Sequence, residues 1–346
     1  MEIYLLGYAF LLIGLFLWER TYPKTRLIYF LGFIYIAFIV IFRGNVGTDT
    51  GTYESIIANI SLDNWLKQPT ELGFNLSVAL LNLLGFSSVI TLRILTAIYI
   101  SLIIPLLITS EKNIRQFIAI FFIPATIYIF SMNALRVGIA INLLLISLNL
   151  FQKKRNVSLV VFLIAISFHV TVSLIIPILF LFQKNNSKKI ITAFSLTLLL
   201  FAGGAIYYEH IYNKLILYSN YSSPNLSSGL SDVILFILFL RFFYLYPTNR
   251  HFKIGFSCVA TLLIAMSFII AKFSYGGLRI LQLYTLLLPY TFLYISNLRY
   301  GMFILNKKLF YSLYLTSIIA TIFTLRNFID SSGQAYGFIP YSFIFQ

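Results

Sequence analysis

The chain has 346 residues, of which 60% are hydrophobic and only 10% charged, and its mean hydropathy is +0.90. A soluble domain carries about 25% charged residues, so the composition excludes an ordinary soluble enzyme. In a membrane protein the formal net charge of +15 does not indicate nucleic-acid binding. We predict an all-α, polytopic integral membrane protein, because the alternating pattern of a membrane barrel is absent and lipid tolerates no open strand edge.

Apolar segments follow one another along the whole chain, each a candidate transmembrane or re-entrant helix. They lie at 3–18, 27–42, 72–86, 88–108, 117–131, 137–151, 157–168, 170–182, 190–206, 231–246, 254–271, 280–295 and 309–325. Their lengths predict about 11 to 13 such helices. No polar stretch between them is long enough for a soluble domain, so we expect residues 1–346 to form one membrane domain.

Basic residues mark the connections that we expect in the cytoplasm. The basic clusters lie at 19–26, 111–115, 152–155, 183–189, 247–253 and 298–308. The connections then left on the exterior face are 43–71, 132–136, 207–230, 272–279 and the tail from Arg326. The longest of these, 43–71 and 207–230, are predicted to be exterior loops.

Some apolar segments are too short for the number of crossings they would have to make. Segments 157–168 and 170–182 together hold about 26 residues, whereas two full spans need about 40. We therefore predict a re-entrant pair with its tip near His169, which would lie deep in the protein. By the same argument, we expect segment 72–86 to insert only partly into the membrane and segment 88–108 to cross it. In the alternative topology both segments cross the membrane, and the basic cluster 111–115 lies on the exterior face.

The stretch F-R-G-N-V-G-T-D-T-G-T-Y, at 42–53, places Arg43, Asp49 and Tyr53 beside an apolar segment. Two interpretations are open. Its glycines and threonines suit turns, and Arg43 could simply pair with Asp49 across an ordinary exterior loop. Alternatively, the stretch forms the rim of a polar cavity.

Further candidates stand at the ends of apolar segments. Arg136 and Arg279 each follow an exterior turn and begin an apolar helix, where an arginine can snorkel or bind phosphate at the helix start. His169 lies in an apolar stretch and is either a neutral, hydrogen-bonded residue or a general base. Arg93 lies inside an apolar segment, where its role stays open between pairing and snorkelling. No Cys or His ligand pair has metal spacing and no nucleotide loop is present, so no metal or cofactor is expected.

Short motifs in a fixed order carry a family resemblance. They are R-G-N-V-G-T-D-T-G-T-Y from Arg43, T-E-L-G-F from Thr70, M-N-A-L-R-V-G-I-A from Met132, S-F-H-V-T from Ser167, G-L-R-I-L-Q-L-Y from Gly277 and I-P-Y from Ile339. In order and spacing the chain resembles the EpsG family of Wzy-type polysaccharide polymerases.

The resemblance implies a metal-independent glycosyltransferase of the bacterial cytoplasmic (inner) membrane. Such an enzyme would build O-antigen, capsule or exopolysaccharide by transferring the growing glycan from undecaprenyl diphosphate to another lipid-linked repeat unit at the outer, periplasmic face. We assign Arg43, Arg136 and Arg279 to the diphosphate. His169 and Asp49 are the catalytic candidates, one as base and the other orienting the acceptor, and the sequence does not say which is which.

Residues of the same motifs, Tyr53, Asn133 and Tyr284, are candidates for contacts with the glycan. The expected partners are the undecaprenyl-diphosphate-linked oligosaccharide, membrane lipid, and from the resemblance a chain-length regulator and a flippase. Two other functions fit similar basic residues. One is a lipid-linked oligosaccharide flippase, although no repeat symmetry is detectable, and the other is an O-antigen ligase.

Overall fold

The computed structural model describes residues 1–20, 26–182, 224–225, 227–332 and 336–345. No strand occurs in these residues, although Arg43 and Phe343 form an isolated antiparallel bridge. The helices that are long and apolar enough to cross a membrane are Ser88–Thr109, Lys112–Met132, Arg250–Ile270, Tyr275–Tyr300 and Lys307–Asp330. The chain is therefore an all-α polytopic membrane protein, as predicted.

The helices are numbered here in chain order. They are α1 (Glu2–Arg20), α2 (Arg26–Ile41), α3 (Thr50–Ala58), α4 (Leu72–Leu83), α5 (Ser88–Thr109), α6 (Lys112–Phe117), α7 (Ile123–Met132), α8 (Leu135–Leu150), α9 (Arg155–Phe168), α10 (Ile176–Leu181), α11 (Leu230–Leu245), α12 (Arg250–Ile270), α13 (Tyr275–Tyr300) and α14 (Lys307–Asp330). A π-helical turn, Ile118–Phe122, joins α6 to α7, and a 3-10 helix, Val170–Ile175, precedes α10.

The lengths of α4 and α5 agree with the different roles predicted for their segments. Helix α4 has 12 residues and spans about 18 Å, less than the hydrocarbon core of about 30 Å. Helix α5 has 22 residues and is long enough to cross. How α4 lies relative to a membrane stays a prediction.

The helix break predicted near His169 is present. Helix α9 ends at Phe168, and His169 has extended backbone, with φ −164° and ψ 113°, before the 3-10 helix begins. The His169 side chain is buried, with 8% of its surface exposed. Whether the two halves form a re-entrant pair in the membrane stays a prediction.

The 43–71 connection differs from the loop that the sequence predicts, because it contains helix α3. Thr50, Tyr53 and Ile57 are buried on one side of this helix. Their i, i+3, i+7 spacing is that of an amphipathic helix, but the surrounding glycines and threonines are typical of turns and conceal it. The other predicted loop, 207–230, lies outside the described residues except for 224–225 and 227–230, and so does the apolar segment 190–206.

The chain divides into two compact units, one formed by Met1–Val172 with Tyr314–Gln346 and the other by Ser173–Leu313. In the first unit α8 packs against α5, α7 and α9, while α4 packs on α9 and α3 on α5. In the second unit α13 packs against α10, α11 and α12. The first unit contains five of the six sequence motifs.

Candidate active site

The loop after α2 lies directly against the turn between α7 and α8. Gly47 has φ +104°, and a Cβ added there would come within 2.6 Å of the Met132 carbonyl oxygen. This backbone conformation and this close approach both require glycine. The first motif is thus held against the M-N-A-L-R motif by backbone contact.

The C-terminal segment 336–345 pairs with the same loop. The Gly44 amide donates to the Ser342 carbonyl at 2.8 Å, and the Ile344 amide donates to the Phe42 carbonyl at 2.9 Å. The ring of Tyr336 fills the space beside Gly51, where an added Cβ would lie 2.6 Å from it. The closing I-P-Y motif therefore lies beside the first motif, although about 300 residues separate them.

Glu71 connects three motifs through its carboxylate. Its Oε2 forms a partly buried ion pair with Nη1 of Arg136, and its Oε1 lies 2.9 Å from Nδ1 of His169. Glu71 is the residue before α4, yet its side chain makes no capping hydrogen bond. Only 8% of its surface is exposed, so both contacts are shielded from water and strengthened by the low local dielectric.

The Arg136 guanidinium lies against two aromatic rings as well as Glu71. Its Cζ is 5.7 Å from the Tyr53 ring centre and 5.4 Å from the Phe74 ring centre. Asp49, the residue that precedes α3, also acts on Arg136 electrostatically. Two candidates from the first motif, Asp49 and Tyr53, thus belong to the same cluster as Arg136.

A close helix contact brings Glu71 and His169 together. A Cβ added to Gly73 would come within 3.0 Å of the Cβ of Ser167, and Ser167 Oγ would be closer still. Glycine at this position lets α4 approach the end of α9. This contact explains why the T-E-L-G-F and S-F-H-V-T motifs meet.

Asn75 holds the backbone that leads into Glu71. It is fully buried, and its Nδ2 donates to the carbonyls of Trp65 at 3.0 Å and Thr70 at 2.9 Å. Its Oδ1 accepts a hydrogen bond from the Thr70 hydroxyl. These bonds fix the turn that ends at Thr70, and hence the direction in which the Glu71 side chain leaves the chain.

Glu71 is a residue of the site that is not predicted from the sequence, although it lies in the T-E-L-G-F motif. A signal was present, because the chain has only 10 acidic residues and this one directly precedes an apolar segment. An acid there could equally be a helix cap. Its partners, Arg136 and His169, are far away in the sequence and become apparent only in the folded structure.

In the described residues, Arg43 makes its polar contacts with residues other than Asp49. It is fully buried, and its Nη1 donates to the Val40 carbonyl at 2.7 Å and to Thr96 Oγ1 at 3.3 Å. The first interpretation of this stretch, in which Arg43 pairs with Asp49, therefore does not describe the contacts of Arg43. Arg93, whose role the sequence left open, pairs with Glu54 at 3.6 Å.

The remaining candidates are split between the units. Asn133 ends α7 in the first unit, and its buried Oδ1 has no hydrogen-bond partner in the described part of the chain. Arg279 lies near the start of α13, as the sequence predicts, and its side chain is exposed. Tyr284 is buried further along that helix. Both belong to the second unit.

The described residues define a class of protein: a polytopic membrane protein in which a carboxylate, an imidazole and a guanidinium from separate motifs lie in contact. The profile of the EpsG family matches residues 26–343, nearly the whole chain. The chain belongs to the EpsG family, whose members are similar to Wzy-type polymerases. Comparison with curated proteins and with solved structures found no match.

Proposed function

We propose that the protein is a polysaccharide polymerase that acts on lipid-linked repeat units. It would transfer the growing glycan from undecaprenyl diphosphate to the acceptor sugar of another unit, at the outer face of the bacterial cytoplasmic membrane. The observation that carries the proposal is the Glu71 carboxylate, which joins Arg136 to His169 inside a member of the EpsG family. A base beside a guanidinium suits a transfer that removes a proton and releases a diphosphate.

In the proposed reaction the acceptor hydroxyl oxygen attacks the anomeric carbon of the growing glycan. A new C–O bond forms, the bond from that carbon to the diphosphate oxygen breaks, and its electron pair leaves with the diphosphate. The hydroxyl proton passes to a base. No oxidant, reductant or metal is needed to balance the step.

The geometry favours His169 over Asp49 as that base. With Nδ1 directed at Glu71 Oε1, the carboxylate accepts the Nδ1 proton and selects the tautomer whose Nε2 takes the proton from the acceptor. Glu71 also stabilises the imidazolium that results. Asp49 would then orient the acceptor.

The diphosphate is assigned to arginine side chains, which offer planar, two-pronged donors. Arg136 gives Nη1 to Glu71 and would offer its other N–H groups to the leaving group. Arg43 and Arg279 are also proposed as diphosphate-binding residues. Tyr53 and Asn133 are proposed to contact the glycan, since the unpartnered Oδ1 of Asn133 can accept a hydrogen bond from a sugar hydroxyl.

Tyr284 is the third residue proposed to contact the glycan, on α13. The proposed partners are the lipid-linked oligosaccharide, a chain-length regulator and a flippase that delivers the units. A flippase function for this chain, and an O-antigen ligase function, are the competing proposals. Glycosyl transfer requires a base for the acceptor proton, whereas moving the cargo across the membrane breaks no bond, so we take the Glu71–His169 pair as support for group transfer.

The test is a gel profile of surface glycan from a deletion strain, with and without a plasmid copy of the gene. We expect the deletion to leave glycan of a single repeat unit and the native copy to restore a ladder. Loss of even the single unit, with lipid-linked units accumulating inside, would refute polymerisation and support a flippase. A ladder that persists on the lipid carrier without reaching its final acceptor would support a ligase.

A further inference from the structure

Two arginines are buried close together, Arg43 in the loop after α2 and Arg93 on α5. Arg43 has no exposed surface and Arg93 has 6%. Arg93 Nη2 donates to the Gly44 carbonyl at 2.8 Å, and Arg43 reaches Thr96, one helical turn beyond Arg93 on α5. The two guanidinium groups are close enough for the charge of Arg93 to act on Arg43.

The charge of this pair is only half balanced. Glu54 is the carboxylate that pairs with Arg93, at 3.6 Å, and it is also the acid whose charge acts on Arg43. The Tyr341 phenol lies near both arginines, but burial raises its pKa, so at neutral pH it is an uncharged donor. Burial and the charge of Arg93 lower the pKa of Arg43, but a guanidinium in a protein stays protonated at neutral pH.

Four guanidinium nitrogens of the pair have no hydrogen-bond acceptor in the described part of the chain. They are Nε and Nη2 of Arg43 and Nε and Nη1 of Arg93. Buried charged donors are costly when they have no acceptor. The group that would satisfy both the excess charge and the donors is an anion with several oxygens.

We propose that Arg43 and Arg93 form a binding site for a phosphate or diphosphate group. The inference rests on the proposed function for the source of the ligand, because a lipid diphosphate is the leaving group of that reaction. It adds Arg93 to the phosphate-binding residues and separates this site from Arg136, whose charge is already shared with Glu71.

The C-terminal segment 336–345 closes this site. Its last part is held by the Ser342 and Ile344 backbone bonds to the loop, and by the Tyr341 hydroxyl, which donates to the Ile39 carbonyl at 2.8 Å. Its first part is anchored separately, since the Phe338 ring stacks on Phe328 at 4.1 Å. Residues 341–345 release the loop to admit the anion, while 336–338 stay in place.

The closed state explains the role of Glu54. With the anion outside, Glu54 partly neutralises the two arginines, and it competes with the anion for Arg93. Removing the charge of Glu54 should therefore strengthen anion binding. If the two arginines only supported the fold, the same change would destabilise the protein without strengthening anion binding.

The test is thermal unfolding of the purified full chain in detergent, with inorganic diphosphate added at constant ionic strength. A ligand that binds the folded state raises the melting temperature. We expect diphosphate to raise the melting temperature of the native chain and to raise that of Glu54→Gln by more. The melting temperature of Arg93→Met should not change. If Arg93→Met does not fold, Glu54→Gln alone decides, because a structural pair predicts no larger response to diphosphate in that variant.

A second pair of variants tests the closing segment. Ile344→Pro removes the amide that bonds to Phe42, and Ile344→Ala retains it. We expect the proline variant to need severalfold less diphosphate for the same stabilisation, because a larger fraction of the protein is open, and the alanine variant to match the native chain. Equal responses of the two variants would refute closure by this segment.

Two sources of phosphate are compared by repeating the titration in nanodiscs with undecaprenyl diphosphate. Stabilisation by inorganic diphosphate indicates a site for the released head group, and stabilisation by the lipid alone indicates a site that also requires the chain. No Arg93-dependent response to either ligand would overturn the site. If the protein forms no polymer but still shows an Arg93-dependent response, the anion site stands and the polymerase function is refuted. If the protein forms polymer but shows no such response, the polymerase function stands and the anion site is refuted.

Discussion

Replacing Glu71 by glutamine tests whether this carboxylate acts through His169. The change keeps the size of the side chain but removes the charge that faces Nδ1 of His169 at 2.9 Å. A hydrogen bond to a charged group contributes about 1.5–3 kcal/mol, which corresponds to about a 10- to 160-fold loss of rate. Because the glutamine carbonyl can still accept from Nδ1, we expect the single-turnover rate to fall by the lower part of that range.

The double variant provides the decisive comparison. His169→Ala removes the base and should lower the rate by about 10²- to 10⁴-fold. If Glu71 acts by orienting and stabilising His169, adding Glu71→Gln to His169→Ala should cost little more, since residues that act as a unit are not additive. Full multiplication of the two single losses would refute the reasoning.

The assay is single-turnover polymerisation by the purified protein in nanodiscs, with lipid-linked repeat units as both donor and acceptor. Removing the partner of a buried charge can cost about 3–5 kcal/mol of stability, and Glu71 also pairs with Arg136, so the folded fraction is measured by thermal unfolding. Asp330→Asn is the matched control, because its ion pair with Arg326 is exposed and should affect neither rate nor folding.

The remaining predictions concern the residues around that pair. Arg136→Lys keeps the charge that orients α8 but loses the two-pronged donor and its contact with two rings, so polymer yield should fall at equal amounts of inserted protein; unchanged yield would refute a catalytic role. Gly73→Ala should lower the free energy of unfolding by about 1–3 kcal/mol because of the clash with Ser167, whereas Gly255→Ala, whose added Cβ would lie 3.9 Å from its nearest neighbour, should not. Asn75→Leu should reduce kcat with little change in KM, as expected of a positioning residue; a change in KM alone would contradict that role.

The membrane character of the fold is predictable from composition, and the main helices from apolar length. The predicted break near His169 was confirmed. Helix α3 was missed, because its three buried residues, Thr50, Tyr53 and Ile57, lie among glycines and threonines that equally favour turns.

The candidate site was predictable in its parts but not in its pairing. Charge and position singled out Arg136 and His169, while Glu71 went unassigned, because an acid before an apolar segment does not reveal partners 65 and 98 residues away. For Arg43 the sequence suggests a partner that the fold does not provide. Its sequence neighbours suggest a pair with Asp49, yet tertiary packing places it against Thr96 on α5.

The most direct test of the account is whether the purified protein alone lengthens lipid-linked glycan. The protein is reconstituted with repeat units on undecaprenyl diphosphate, and both glycan length and released lipid diphosphate are measured. The account predicts a ladder with one lipid diphosphate released for each bond formed, and loss of both in His169→Ala. Units that cross the bilayer without any gain in length, or a ladder that His169→Ala still makes at the native rate, would contradict it.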